Sequence, residues 1–236
     1  EDAAELAAIV QDVAARGGQL RVVGTGHSSN DLLRCEDTLV SLKAMRGIVS
    51  VDRGRCEATV QAGSTLEDLG SALYAHDLAL PNYGDVATQT IGGAIGTGTH
   101  GTGPTLQNLS QLLLAATLVD GSGTLRHVAR DDADTLRALQ VSLGTLGVFA
   151  TVTLRLVPTF DVERREYAIG TQAALAQLDA LVADNRSLDF YWYPRRDEIK
   201  LRLVNPLGGG RAPDGARLLS HNGGYGHEVI PAHSGI

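Results

Sequence analysis

Two short stretches of this 236-residue chain carry residues that could do chemistry. The first is GTGHSSND, Gly24 to Asp31, in which His27 follows a glycine turn directly after the apolar run Leu20–Val23. A neutral imidazole is a nucleophile, a general base and a metal ligand, and the end of a strand is where a fold delivers such a group. A histidine in a turn is more often solvated or singly hydrogen-bonded, so His27 alone leaves both readings open. The second stretch, PNYGDVATQTIGGAIGTGTHGTG, runs from Pro81 to Gly103 and holds seven glycines among 23 residues. Backbone without side chains exposes successive N–H groups that can line a diphosphate, and threonine hydroxyls add donors. Ligand-free tight turns would account for any single glycine, whereas the density of IGGAIGTGTHGTG favours a nucleotide cradle. No helix is expected to survive such glycine content.

Other chemistries fit less well. Gly96, Gly98 and Gly101 satisfy GxGxxG, with Asp120 about 20 residues on, but only TGPTLQN separates Gly101 from the next strand. That leaves no room for the crossover helix of a Rossmann unit, and no GxxxxGK[ST] loop is present. His221, His227 and His233 recur at a spacing that suits no metal site, so no metal is expected. Cys35 and Cys56 form neither a CxxC pair nor a disulfide framework and read as ordinary part-buried thiols. His100 is either a structural histidine bonding turn carbonyls or a ligand contact. Asn30 and Asp31 brace the first turn. Tyr191, Trp192 and Tyr193 read as sheet core plus one exposed ring.

Composition narrows the partner. The net charge is −7 with signs interspersed, which argues against a nucleic-acid surface, and no apolar run approaches a membrane span. A small-molecule partner and a cytoplasmic location are the expectations. The chain opens without methionine on an already helical segment and ends in a Gly-, Pro- and His-rich stretch read as loop. The natural chain is therefore expected to extend further.

The elements that must position these residues follow from periodicity. A first helix, EDAAELAAIVQDVAAR, carries Leu6, Ile9, Val10 and Val13 on one face, and short strands follow at QLRVVG, TLVSL, GIVSVD and CEATVQAG. STLEDLGSALYAHDL reads as a helix with Ser64 as N-cap and Glu67 as its capping-box partner. LSQLLLAATLVDGSG and TLRHVAR form a hairpin, DDADTLRALQVSLGTLG a helix capped by Asp131 or Asp132, and VFATVTLRLVP a strand. Beyond Pro158 a new unit starts with strand DVERREYAI, helix TQAALAQLDALVADN and strands LDFYWYP and EIKLRLV.

In order and spacing, GTGHSSND, AGSTLEDL, IGGAIGTGTHGTG, LVDGSG and LGTLGVFATVTLRLVP resemble the FAD-binding domain of vanillyl-alcohol-oxidase-type flavoenzymes. Within that family the likeness is to the aldonolactone and alditol oxidase branch, and it covers roughly residues 4 to 158. The resemblance implies an α+β fold: a two-subdomain FAD-binding domain over residues 1–158, then the start of a substrate or cap domain over 159–236. It implies FAD attached through a ring nitrogen of His27, with Gly24, Thr25, Gly26 and Ser28 around the diphosphate. Asp85, Thr90, Gly93, Thr97, Gly98, Thr99 and His100 would line the flavin and ribityl region, and Val148 would meet the adenine end. Gly84 matches a gate position beside the flavin's reactive carbon, where a small residue admits oxygen. Asp85 stands where an alditol oxidase relative places a serine near substrate, which disfavours an alditol in particular.

The implied reaction is oxidation of a CH–OH group of a sugar-derived lactone or polyol, with hydride passing to the flavin and electrons then to oxygen or another acceptor. The alternatives are an FAD-dependent 2-hydroxy-acid dehydrogenase and a flavin-binding fragment without activity of its own. The branch's catalytic acid–base residues have no counterparts up to Ile236 and are expected beyond it.

Overall fold

Leu6, Val10 and Val13 are buried on one face of helix α1 (Ala3–Ala15), whose first N–H groups, on Ala4 and Glu5, donate to the Asp2 carboxylate. The computed structural model describes residues 2–29, 31–219 and 227–231. After α1, strand β1 (Leu20–Val23) pairs in parallel with β2 (Thr38–Ser41). Strands β3 (Ile48–Asp52) and β4 (Glu57–Gln61) follow, then helix α2 (Leu66–Tyr74) and the short β5 (Leu78–Ala79). The N-cap of α2 is Thr65, whose hydroxyl accepts from the Asp68 N–H, one residue later than the capping box anticipated. Ser64 is drawn away instead: its hydroxyl accepts from the Gly47 N–H at 2.9 Å and its carbonyl from the Ile91 N–H at 2.8 Å.

The glycine-rich stretch contains a helix after all, α3 (Ile91–Gly96). Tertiary contacts override propensity here. Ile91 and Ile95 are fully buried, the Gly92 N–H donates to Ala62 O, and the end carbonyls of Ile95 and Gly96 accept from the N–H groups of Val141 and Leu143. The Ser110 hydroxyl also donates to Ile95 O. Strands β6 (Leu113–Val119) and β7 (Leu125–Val128) make the expected hairpin, closed by Asp120, which accepts from the N–H groups of Ser122 and Thr124 and pairs with Arg126. Helix α4 (Ala133–Leu139) is capped by Asp132 but stops earlier than its sequence pattern suggests. Val141 and Leu143 take positive φ so that their N–H groups reach α3.

Strand β8 (Val148–Arg155) completes a five-stranded antiparallel sheet in the order β3-β4-β8-β6-β7, and β9 (Val157–Pro158) pairs with β5. One apolar cluster from Leu6 to Leu156 fills this part of the molecule. The antiparallel pairing of β6 with both neighbours leaves no Rossmann crossover, as the short spacing after Gly101 required.

Strand β10 (Asp161–Gly170), helix α5 (Thr171–Asp184), β11 (Ser187–Trp192) and β12 (Glu198–Pro206) form a second unit with its own apolar cluster around Tyr167, Leu181, Leu201 and Leu203. Two further strands, β13 (Arg217–Leu218) and β14 (His227–Pro231), add to the free edge of β10, where the sequence suggested only loop. Edge pairing along β10 supplies the order that composition did not signal. His221 and His233 lie outside the described residues. Tyr191, Trp192 and Tyr193 are all exposed rather than core, because the first two close edge strand β11 and the third follows it, while Leu201 and Leu203 fill the face toward α5.

Opposite α5 the sheet is polar. Lys200 pairs with the buried Glu166 at 2.7 Å, and Arg202 bridges Asp189 at 2.7 Å and Asp85 of the first unit at 3.0 Å. Arg186 adds a second tie, donating to Pro81 O at 2.5 Å beneath the Phe160 ring. Among the described residues no helix is long and apolar enough to cross a membrane. The architecture is a mixed α+β fold, as the sequence implied.

Candidate functional site

The turn after β1 and helix α3 face each other across an open cleft of about 1080 Å³, its solvent-filled mouth included. Gly24, Thr25, Gly26, His27 and Ser28 line one side. Thr90, Gly93, Ala94, Gly96 and Thr97 line the other, and Leu143, Gly144, Gly147, Val148 and Phe149 form the far wall. Two sequence stretches some 70 residues apart therefore build one site.

Local chemistry explains how each wall is made. Gly26 sits at φ +77, a conformation that favours glycine, and turns the chain sharply out of β1. Among the described residues, the N–H groups of Thr25, Gly26, His27 and Ser28 donate to no backbone carbonyl. On the opposite wall Thr90 precedes α3 but makes no side-chain cap; its hydroxyl points instead at Gly24 and Gly93. A β-carbon on Gly24 would collide with that hydroxyl, and one on Gly93 would come within 3.0 Å of it. Thr97 ends α3 with its hydroxyl donating to Gly93 O.

The lining is also selective in charge. Although the chain is net acidic, among the described residues no Asp or Glu borders the cleft, whereas Arg21 does. Free backbone donors, threonine hydroxyls and the absence of carboxylates suit an anionic diphosphate. Gln89, on the rim, buries an Oε1 that has no partner among the described residues. Extended apolar lining beside these donors suits the flat rings of a dinucleotide. The residues present therefore fit FAD.

His27 is exposed in the cleft, with Nε2 at 2.9 Å from Thr88 Oγ1. Of the residues singled out from the sequence, Gly24 to Ser28, Thr90, Gly93, Thr97 and Val148 converge on the cleft. Gly84, Asp85, Gly98, Thr99 and His100 are not among its lining residues. Gly84 is buried with Thr99 Cγ2 where a β-carbon would go, Asp85 faces Arg202, and Gly98 turns at φ +70 against Val141. His100 Nδ1 lies 2.7 Å from the Gly101 carbonyl, the turn-bonding arrangement. In the same loop the Tyr83 hydroxyl is buried without a partner among the described residues, and burial pushes its pKa far up.

Sequence reasoning missed Gln89, Arg21 and, in the far wall beside the expected Val148, Leu143, Gly144, Gly147 and Phe149. The positive φ angles of Leu143, Gly144 and Gly147 belong to the LGTLG turn, whose glycine spacing was the available signal.

Residues 1–129 match the FAD binding domain family. The chain is 35% identical over 202 residues to an L-gulono-1,4-lactone dehydrogenase of Mycobacterium tuberculosis, covering 86% of this chain and 47% of that protein. It is 34% identical over 184 residues to the L-gulonolactone oxidase of Mus musculus, covering 78% of this chain and 42% of that protein. The fold resembles the crystal structure of cholesterol oxidase from B. sterolicum, with a TM-score of 0.77 at 21% identity over 87% of this chain and 43% of the oxidase. The chain spans about half the length of the curated relatives it matches.

Proposed function

Because this chain belongs to the FAD binding domain family, we propose that it is the flavin-holding part of an oxidoreductase that oxidises a CH–OH group of a sugar-derived aldonolactone or polyol. The observation that carries the reading is the convergence of Gly24–Ser28 and Thr90–Thr97 on one cleft that holds no carboxylate among the described residues. The names of the two lactone-acting relatives support the substrate class.

In this proposal the Thr25–Ser28 N–H groups hold the diphosphate, the Thr90 hydroxyl adds a donor across the cleft, and the Val148 backbone meets the adenine end. FAD, when bound, supplies the two-electron acceptor for the alcohol carbon's hydrogen. His27 attaches it covalently through a ring nitrogen, which fixes the ring's position and raises its readiness to accept electrons. Asp85, Gly98, Thr99 and His100 shape the loop behind the flavin and ribityl region. Gly84, where a β-carbon would meet Thr99 Cγ2, is the proposed oxygen gate, its lack of a side chain leaving room for oxygen, with oxygen or another acceptor taking the electrons.

Residues 1–158 constitute the flavin domain in this reading and 159–236 begin the substrate domain, which the two separate apolar clusters support. The free thiols Cys35 and Cys56 suit a reducing compartment, so the proposed location is the cytoplasm.

The test is anaerobic mixing of the holoenzyme with candidate substrates. Bleaching of the flavin absorbance by aldonolactones or polyols supports the proposal. Bleaching by 2-hydroxy acids alone would contradict it.

A further inference from the structure

We propose that Thr88 is a positioning residue for His27, holding its imidazole so that Nδ1 is the nitrogen that joins FAD; this rests on the covalent linkage proposed above. The contact is the 2.9 Å approach of His27 Nε2 to Thr88 Oγ1, between residues 61 apart in sequence. An imidazole on a turn rotates about two side-chain torsions, and its two nitrogens compete as nucleophiles. Engaging Nε2 removes it from that competition. With Oγ1 as acceptor, Nε2 carries the hydrogen and Nδ1 the lone pair. As Nδ1 gives up that pair, positive charge grows on the ring, and the Nε2–H bond to Oγ1 strengthens with it.

Thr88 is itself held rigidly. The carbonyls on either side of it, Ala87 O and Gln89 O, accept from the Glu67 N–H at 3.0 Å and the Leu66 N–H at 2.9 Å. These donors belong to the first turn of α2, whose Leu66 and Leu69 are fully buried. The hydroxyl is thus carried on a peptide pinned at both ends to a core helix, while the residue it steers sits on a glycine turn.

Overall, linkage forms one bond, from Nδ1 to the flavin's ring methyl carbon. It releases one hydrogen from that methyl group and the hydrogen of the imidazole as protons. The two electrons left behind pass with those protons to dioxygen, giving hydrogen peroxide.

The test compares wild type, Thr88→Val and Thr88→Ser, each prepared as apoprotein and incubated with FAD in air. Intact mass after denaturation reads covalent attachment over time, quenching of flavin fluorescence reads non-covalent binding, and NMR of the flavin peptide identifies the bonded nitrogen. Attachment slows at least about tenfold in Thr88→Val while binding changes by less than about threefold, and serine restores the rate. Linkage in wild type is at Nδ1.

Wild-type attachment rates in Thr88→Val, or linkage of wild type at Nε2, would overturn the role of Thr88 and leave the covalent bond standing. A slowing matched by an equal loss of non-covalent affinity would overturn it too, assigning Thr88 to binding. A wild-type protein that releases all its FAD on denaturation would overturn the linkage and the positioning role together.

Discussion

Gly24 and Thr90, from the two walls of the cleft, approach so closely that a β-carbon on Gly24 would occupy the space of the Thr90 hydroxyl. The approach joins the turn after β1 to the residue that opens α3, and only a glycine permits it with threonine opposite. Gly24→Ala should therefore push Thr90 aside and weaken FAD binding by about tenfold or more, with little loss of stability. Adding Thr90→Ala should recover part of the affinity by removing the colliding atoms. Fluorescence titration of the two variants with FAD checks both outcomes.

A glycine outside the cleft should behave differently. A β-carbon on Gly63 would run into the backbone carbonyl of Leu42, which cannot swing away as a side chain can. Gly63→Ala should cost about 2 kcal/mol or more of stability, read from urea unfolding, because the strain falls on buried backbone.

Arg202 is largely buried and holds Asp189 of its own sheet and Asp85 of the first unit. Burial pushes the Asp189 carboxyl up, and Arg202 opposes the shift. Arg202→Met should leave Asp189 without its cation and cost about 1–3 kcal/mol. Combining it with Asp189→Asn should recover part of that loss. Hydrogen exchange in the loop containing Asp85 should rise in the single variant, since one tie between the two units is gone.

Asp37 accepts from Arg16, the Gln19 N–H and the Thr38 hydroxyl, and chiefly through Arg16 its pKa falls from 3.8 to about 2. A carboxylate with a lowered folded pKa stabilises the fold above its unfolded value and loses that contribution as pH falls through the folded one. Asp37→Asn should therefore be less stable than wild type near neutrality, and the gap should close between about pH 4 and pH 2. Urea midpoints across that range provide the check.

Much of this was legible in the chain itself. Strict alternation in CEATVQAG and the hairpin spacing around Asp120 fixed the main sheet, because side-chain period and turn chemistry are local properties. The cleft was legible through GTGHSSND and the run of glycines, whose density has few uses besides close approach. Helix α3 was not legible, since its stability comes from Ala62, Ser64, Ser110 and the positive-φ residues Val141 and Leu143, all distant in sequence. The same long-range bonds shortened α4 and built the far wall of the site. Strand β14 escaped notice for a related reason: an edge strand takes its order from its partner. Thr88 carries no signal in the sequence, because only the fold sets it beside His27.

The central claim is that the cleft between the first glycine turn and α3 holds FAD. The absorption spectrum and flavin stoichiometry of the purified protein test it most directly. Flavin bands and about one FAD per chain are predicted, as a single dinucleotide held in this cleft requires. A colourless protein that takes up no FAD from an excess in solution would contradict the account.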